Sequence, residues 1–514
     1  MTDVKYCPIC TKSASLPCSS CKNAVYCSQE HQLSHSPEHK HQRSPVKVAF
    51  SEKYGRYLIA TRDLKAGELI LRESPFILGP KSFTLPVCLG CHREFSKGDV
   101  IENCERCGWP VCSVNCSNAT IHANECEVFV RANYKAPVIS ANFEKIPAYG
   151  ILTPLRCLLL ANQDKDKLNY LQGHLQERYN TPLYQGYRYG VVLVIKKMLK
   201  LPYEEEDILN VCAILDTNSF DVRGASKQRA RAIYYQSAMM SHDCSPNTRH
   251  TFDPETLEII LYTTKFVPKG ESLTATYTQT LWNTTRRRAH LKVAKCFDCS
   301  CNRCSDPTEF GTYAGSIKCS ECSGFICSTN PLDCIADWKC NNCGEITLAN
   351  EMTWNDEVIR SEIRSLELTD PNELEGFLER YKNTLHETNS HVIEVKYALT
   401  QLYSGEYGTA DKIITERLER RIEFCRELLA VAEKLDAGAT KWRGQLLLNL
   451  QEALVAWAKK EFKQKNITKT LLQENLNMAT EYLKEAASIL QVDRDLCTAL
   501  PKHMKNLKMA VKNL

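Results

Sequence analysis

The spacing of apolar residues changes along the chain. Leu58-Ile59-Ala60 and Glu68-Leu69-Ile70-Leu71 read as short strands on either side of a Lys65-Ala66-Gly67 turn. Residues 127–240 carry apolar clusters such as Leu155, Leu158, Leu159 and Leu160 and are expected to be mostly helical. Two β-rich runs follow, Leu257–Thr263 and Leu273–Tyr277, separated by a Pro268-Lys269-Gly270 turn. The last third adopts helical spacing. Asp370-Pro371-Asn372-Glu373 reads as a helix start, with Asp at the N-cap, Pro at the first position and Glu at the third. Leu418, Ile422, Cys425, Leu429 and Ala432 form one stripe, and Leu472, Leu476, Ala479, Leu483 and Leu490 another. Such amphipathic helices must bury one face on neighbours, which suggests antiparallel pairs in a degenerate tetratricopeptide-like array.

Length and composition narrow the class. A chain of 514 residues suggests several domains, and 43% hydrophobic with 25% charged residues is ordinary for a folded protein. The net charge of only +4 argues against dominant nucleic-acid binding, which needs a strong basic footprint. The start, MTDVKYCPIC, lacks a basic region followed by an apolar one, so no secretory leader is expected. No apolar run is long enough for a membrane span. These features suggest a reducing compartment, the cytoplasm and/or nucleus.

Cysteine is the outlier, at 27 residues, of which only Cys425 and Cys497 lie beyond Cys343. In a reducing compartment thiols are read as metal ligands before disulfides. The spacing agrees, because pairs separated by two residues recur, and two such turns complete a tetrahedral zinc site. A first cluster holds Cys7, Cys10, Cys18, Cys21, Cys27, His31 and His39. Interleaved pairing gives Cys7, Cys10, Cys27 and His31 to one zinc. Cys18, Cys21, His39 and one further ligand are left for a second zinc, expected to be held weakly. A second cluster has a full set of eight ligands: Cys88, Cys91, Cys104, Cys107, Cys112, Cys116, His122 and Cys126. A third, Cys299, Cys301 and Cys304, lacks a local fourth ligand, for which Cys244 in SHDCSPN is the candidate. A fourth, Cys319, Cys322, Cys340 and Cys343, has zinc-ribbon spacing. Cys157, Cys212, Cys296, Cys327, Cys334, Cys425 and Cys497 remain and are expected to be buried small hydrophobes. Arg286-Arg287-Arg288 is expected on a solvated helix face, and His174 and His290 are read as structural.

Both early clusters resemble the MYND zinc finger, a two-zinc module that docks partner peptides. Four further segments resemble the SET domain of protein-lysine methyltransferases: Tyr54-Gly55-Arg56, MSHDCSPNTRH (240–250), VPKGESLTATYTQTLW (267–282) and CFDCSCNRC (296–304). Their order is similar to that of the SET-and-MYND-domain (SMYD) family. The finger ahead of the split SET domain resembles an arthropod-type branch of that family. The resemblance implies an α+β fold with a β-rich SET domain split by a MYND finger and followed by an all-α, tetratricopeptide-like region. It divides the chain into an N-terminal finger (1–43), a SET N-terminal part (44–87) and a second finger (88–126). A helical insert (127–230), the core SET (231–282), a post-SET zinc segment (283–306), a zinc-ribbon-like segment (307–350) and a C-terminal helical domain (351–514) complete it.

The family's motif falls on Ser241–Asn247 and implies that His242 contacts S-adenosylmethionine through its backbone and that Cys244 completes the third zinc. Tyr277 matches the active-site tyrosine, and Phe297 the aromatic that covers the adenine. Asn218-Ser219-Phe220 matches a segment lining the lysine channel, and Gly55 and Arg56 a loop approaching the cofactor. Two positions depart from the pattern. Tyr57 stands where the family has a second Gly, and is expected to crowd the cofactor. Ser241 replaces an Asn, offering one hydroxyl in place of an amide.

The resemblance thus implies a protein-lysine methyltransferase using S-adenosylmethionine and zinc, acting on a histone or other protein; separately, a monomer without membrane attachment is expected. The acceptor amine must be neutral and in line with the methyl group. Tyr277, with an ordinary pKa near ~10, is expected to orient by its hydroxyl and not to act as a base. The alternative is a catalytically weak or inactive adaptor that binds partners through its fingers, in transcriptional repression.

Overall fold

A computed structural model describes residues 7, 9–10, 12–17, 25–35, 44–52, 54–96, 98–136, 147–224, 227–404, 414–498 and 500–512. Strands β1 (Val46–Ser51) and β2 (Gly55–Ala60) form an antiparallel hairpin, with Leu58 and Ala60 turned into the core. The predicted strand beyond the Lys65-Ala66-Gly67 turn is β3 (Leu69–Glu73), and its partner is not β2. β4 (Ile77–Gly79) follows, and then the second finger, whose last ligands sit on α1 (Thr120–Arg131). The insert contains α2 (Leu152–Leu158), buried on all sides except at Arg156, and α3 (Glu205–Asn218), which buries Ile208, Leu209 and Val211–Leu215.

Residues 127–240 are not helical throughout. β5 (Phe220–Arg223) and β6 (Arg229–Ile233) are antiparallel strands, and β4 pairs on the other side of β6. Short alternating segments such as Arg229-Ala230-Arg231-Ala232-Ile233 carry too few apolar positions to stand out from the helical stretch beside them.

β7 (Ser241–His242), β8 (Thr248–Phe252), β9 (Ile259–Thr263) and β10 (Thr274–Ala275) complete the sheets. β8, β9 and β3 form one antiparallel sheet in that order. β7 runs parallel to β10, placing Ser241 opposite Thr274 and His242 opposite Ala275. The first predicted β-rich run starts two residues late, because Leu257 turns the chain at a φ of 59°. A 12-residue helix, α4 (Thr284–Lys295), is capped by the Asn283 side chain, which accepts from the Arg286 N–H.

The fourth cysteine cluster lies in an antiparallel sheet of β11 (Ile317–Lys318), β12 (Phe325–Ser328), β13 (Trp338–Cys340) and β14 (Ile346–Thr347). Helices α5 (Ala349–Ser365), α6 (Pro371–Tyr381), α7 (Ser390–Leu402), α8 (Thr415–Leu435), α9 (Lys441–Lys463) and α10 (Lys469–Leu490) follow. Asp370 caps α6 by accepting from the Asn372 N–H at 2.8 Å, but Glu373 reaches back to the Glu367 N–H and not to the cap. α8 packs on α9 and α9 on α10, and both predicted stripes face inward except for half-buried Leu429.

The helical region is fastened to the SET sheets at β8 and beyond β9. Arg249 donates to Asp493 at 2.9 Å and to the Ile489 carbonyl at 2.5 Å. Gly438, at a φ of 97°, lies so near the Thr264 carbonyl that a Cβ there would sit 2.1 Å from its oxygen. Only glycine permits that approach.

Candidate active site and zinc centres

Among the described residues, five groups of four ligands converge: Cys7/Cys10/Cys27/His31, Cys88/Cys91/Cys112/Cys116, Cys104/Cys107/His122/Cys126, Cys244/Cys299/Cys301/Cys304 and Cys319/Cys322/Cys340/Cys343. Zn–S bonds of ~2.3 Å set tetrahedral S···S edges of about 3.8 Å. Cys104 and Cys126 lie 3.8 Å apart, Cys244 and Cys304 3.5 Å, and Cys319 and Cys343 3.6 Å. The donor sets and edges fit zinc. Cys244 joins the post-SET triad across more than fifty residues, as its motif implied. Cys18, Cys21 and His39 lie outside the described residues.

In the second finger His122 is oriented by a carboxylate that is itself held by an arginine. His122 Nδ1 lies 3.0 Å from Glu125, and Glu125 accepts from Arg156 of α2 at 2.6 and 2.7 Å. The Arg156 guanidinium also donates to the carbonyls of Leu78 and Leu89. One buried ion pair therefore fixes a zinc ligand and ties the finger to α2 and to the carbonyl of Leu78 on β4.

Behind the Cys244 tetrad, Arg287 and Arg303 are fully buried and share Glu309, at 2.7 and 2.9 Å. Arg287 also donates to Cys304 Sγ at 3.5 Å. Two buried guanidinium groups against one carboxylate leave a positive charge that a four-thiolate zinc centre offsets. Burial works to raise the Glu309 pKa, but the charges of Arg287 and Arg303 outweigh it and hold the carboxyl below its ordinary value. This corrects the expectation for Arg286-Arg287-Arg288. Arg287 is interior, Arg288 donates to the carbonyls of Cys299 and Pro331, and Arg286 lies over the Trp282 ring. A run of three charges steps ~100° per residue around a helix, so one member can face inward. Cys157, Cys212, Cys327 and Cys425 are buried as expected. Cys334, in contrast, is exposed, and Cys296 and Cys497 are half-buried. His290 packs edge-on against Trp282.

A cleft of about 710 Å³ opens beside this zinc centre, lined by Gly55, Arg56, Asn218, Ser241, His242, Tyr277 and Phe297 together with Tyr54, Gln172 and His174. His174, read as structural from sequence, thus reaches the cleft wall. Gly55 holds a φ of 65°, and a Cβ there would meet Gln172 Nε2 at 3.0 Å. Arg56 stacks 3.7 Å from the centre of the Tyr170 ring. Tyr57 is not among the lining residues. Its ring packs edge-on against Tyr54 at 6.0 Å. Ser241 is bonded to Ser272, Oγ to Oγ at 2.9 Å.

The His242 side chain has a role that the sequence did not reveal. Its Nδ1 accepts from the Tyr277 N–H at 3.0 Å, which leaves the proton on Nε2, 3.2 Å from Cys244 Sγ. Burial lowers its pKa to about 4, so the ring is neutral. One imidazole thus couples the zinc centre to the backbone of Tyr277. The Tyr277 hydroxyl donates to the Met240 carbonyl, and burial raises its pKa above the ordinary value. The phenol is therefore a hydrogen-bonding group and not a base. Phe297 follows α4 through Cys296, which adopts a left-handed turn (φ 59°), and its ring centre lies 5.8 Å from that of His242.

Asn218 lines the cleft, its amide donating to the Gln172 and Ile214 carbonyls at 2.8 Å. Ser219 and Phe220 do not line it. Phe220 turns towards Tyr234 and His250, while the Ser219 hydroxyl is buried without a partner.

Split sheets, a cross-braced second finger and a zinc centre closing a cleft define the class: a SET-domain protein carrying MYND-type zinc-finger sites. The SET domain family model matches residues 55–278, and the MYND finger model residues 7–42. The "SET domain-containing protein SmydA-8, isoform B" of Drosophila melanogaster is 30% identical over 76% of this chain and 87% of its own length. The human "Histone-lysine N-methyltransferase SMYD3" is 25% identical over 51% of this chain and 62% of its own. A solved "SET domain of LSMT bound to Lysine and AdoHcy" aligns with 91% of this chain and 95% of its own at 14% identity, with a TM-score of only 0.26. The chain belongs to the SET and MYND domain (SMYD) family. No helix among the described residues is long and apolar enough to cross a membrane.

Proposed function

We propose that the chain is an S-adenosylmethionine-dependent protein-lysine N-methyltransferase of histone or other proteins. The observation that carries this is the meeting of Gly55, Asn218, His242, Tyr277 and Phe297, from five separate segments, in one cleft. S-adenosylmethionine supplies the methyl group. Phe297 would cover its adenine, the backbone of Gly55, Arg56 and His242 would hold its polar parts, and the Ser241 region would form the floor. Tyr277 would shape the reacting centre by its hydroxyl, held by Met240 on one side and fixed through His242 on the other. The fingers would present protein partners. Free thiolate ligands fit a reducing compartment, the cytoplasm or nucleus.

A second reading is an adaptor with weak or no activity. Ser241 favours it, since its one hydroxyl is already engaged by Ser272. Transfer of radiolabelled methyl groups to core histones and to a whole-cell protein extract separates the two. The enzyme reading expects labelled protein, and expects Tyr277→Phe to slow transfer with cofactor binding largely retained. Cofactor binding without labelling in either mixture would favour the adaptor.

A further inference from the structure

Lys295 ends α4, immediately before the left-handed turn that sends Phe297 into the cleft. Its ammonium nitrogen lies 5.6 Å from the centre of the Tyr277 ring. It donates to the Asp216 carbonyl at 3.2 Å and to the Thr217 carbonyl at 2.6 Å, at the last turn of α3. Asn218, the cleft-lining member of the segment matched to the lysine channel, comes next in sequence. Between the candidate active-site tyrosine and that segment, where an acceptor amine belongs, the chain already holds an amine of its own. Lys295 is the one lysine among the described residues lining the cleft.

Its chemistry suits an acceptor. A neutral amine has two N–H groups and one lone pair. The two carbonyls can hold both N–H groups, which directs the lone pair away from α3 and into the remaining space. Burial, reinforced by Arg178 and opposed by Asp216, lowers the Lys295 pKa to about 8. A lysine free in solution titrates near ~10.4, so uncharged amine at neutral pH is far more abundant here. Helix α4 and the Arg287–Glu309 network behind it hold the side chain's base in place, so the amine is presented without a search for a partner protein.

We propose that Lys295 is a methyl-acceptor site within the chain, a self-methylation position built into the cleft; this rests on the methyltransferase reading. In the step, the Nζ lone pair forms a bond to the methyl carbon of S-adenosylmethionine. The carbon–sulfur bond breaks with its electron pair going to sulfur, releasing S-adenosylhomocysteine, and a proton leaves the nitrogen for solvent. A methylated neutral amine keeps one N–H, so at most one of the two carbonyl contacts survives in that form.

The full-length purified chain is incubated with S-adenosylmethionine, and its peptides are mapped by mass spectrometry. The peptide containing Lys295 should gain one methyl group, at a rate per molecule that does not change on tenfold dilution, as an intramolecular step requires. A second readout needs no turnover. Acetic anhydride labelling of Lys295 should fall several-fold when S-adenosylhomocysteine is bound, with exposed Lys269 unaffected. If calorimetry shows S-adenosylhomocysteine bound while Lys295 is neither methylated nor protected, this proposal is overturned and the cofactor reading stands. If neither compound binds, the methyltransferase reading falls and this proposal with it.

Discussion

In the second finger, Cys88, Leu89, Cys104, Trp109 and Cys126 belong to the main core of the molecule, whereas Cys7, Ala14 and Tyr26 of the first form a small cluster of their own. Trp109 packs on Phe129 and Tyr149 at 5.6 and 5.5 Å, and the Tyr149 hydroxyl is bonded to both backbone groups of Val87. The described part of the first finger shows a lighter arrangement, with the Tyr26 hydroxyl 3.1 Å from His35 Nδ1. The leading Cys-x2-Cys turn and a ligand pair of x3 spacing, Cys27/His31 and Cys112/Cys116, recur in both, so this local spacing reports how a metal is gripped and not what the module is attached to. The second finger is a structural part of the SET domain.

The largest effect should come from cutting the attachment of the second finger. Arg156→Ala leaves Glu125 buried beside His122 without its guanidinium, a loss of about 3–5 kcal/mol. Thermal unfolding should fall steeply for the whole SET region, and an unchanged midpoint would show that the finger is not integral. A milder test is graded chelation followed by zinc release. Cys7/Cys10/Cys27/His31, with only Cys7 buried, should give up its metal before Cys104/Cys107/His122/Cys126, where all four ligands are buried. The reverse order would break the comparison. The smallest effect is expected from Tyr26→Phe, which removes the hydroxyl bonded to His35 Nδ1 and should cost about 0.5–1.5 kcal/mol.

Much of this was legible in the sequence because it is carried by local spacing. The Cys-x2-Cys turns, the Asp370 cap and the two leucine stripes each act over a turn or two of chain. Cys244 was legible for a different reason: three clustered thiolates need a fourth, and one motif supplied it. The parts that were hidden depend on pairing at a distance by residues whose type points elsewhere. Arg287 sits in a run of three arginines that looks like surface. Glu125 and Arg156 look like ordinary helix charges until α1 and α2 are brought together. His242 was expected to act through its backbone, and only the fold shows its ring between Cys244 and Tyr277. Lys295 carries no signal beyond a basic residue near a helix end, which is common.

The proposed function places S-adenosylmethionine in the cleft beside the Cys244 zinc centre, with Phe297 over the adenine. Calorimetric titration of the natural chain and of Phe297→Ala with S-adenosylmethionine tests it most directly. Saturable one-to-one binding is expected for the natural chain, weakened in the variant by ~1–3 kcal/mol, the scale of aromatic–base stacking. No heat of binding to a folded, zinc-loaded natural chain, or equal affinity in the variant, would contradict it.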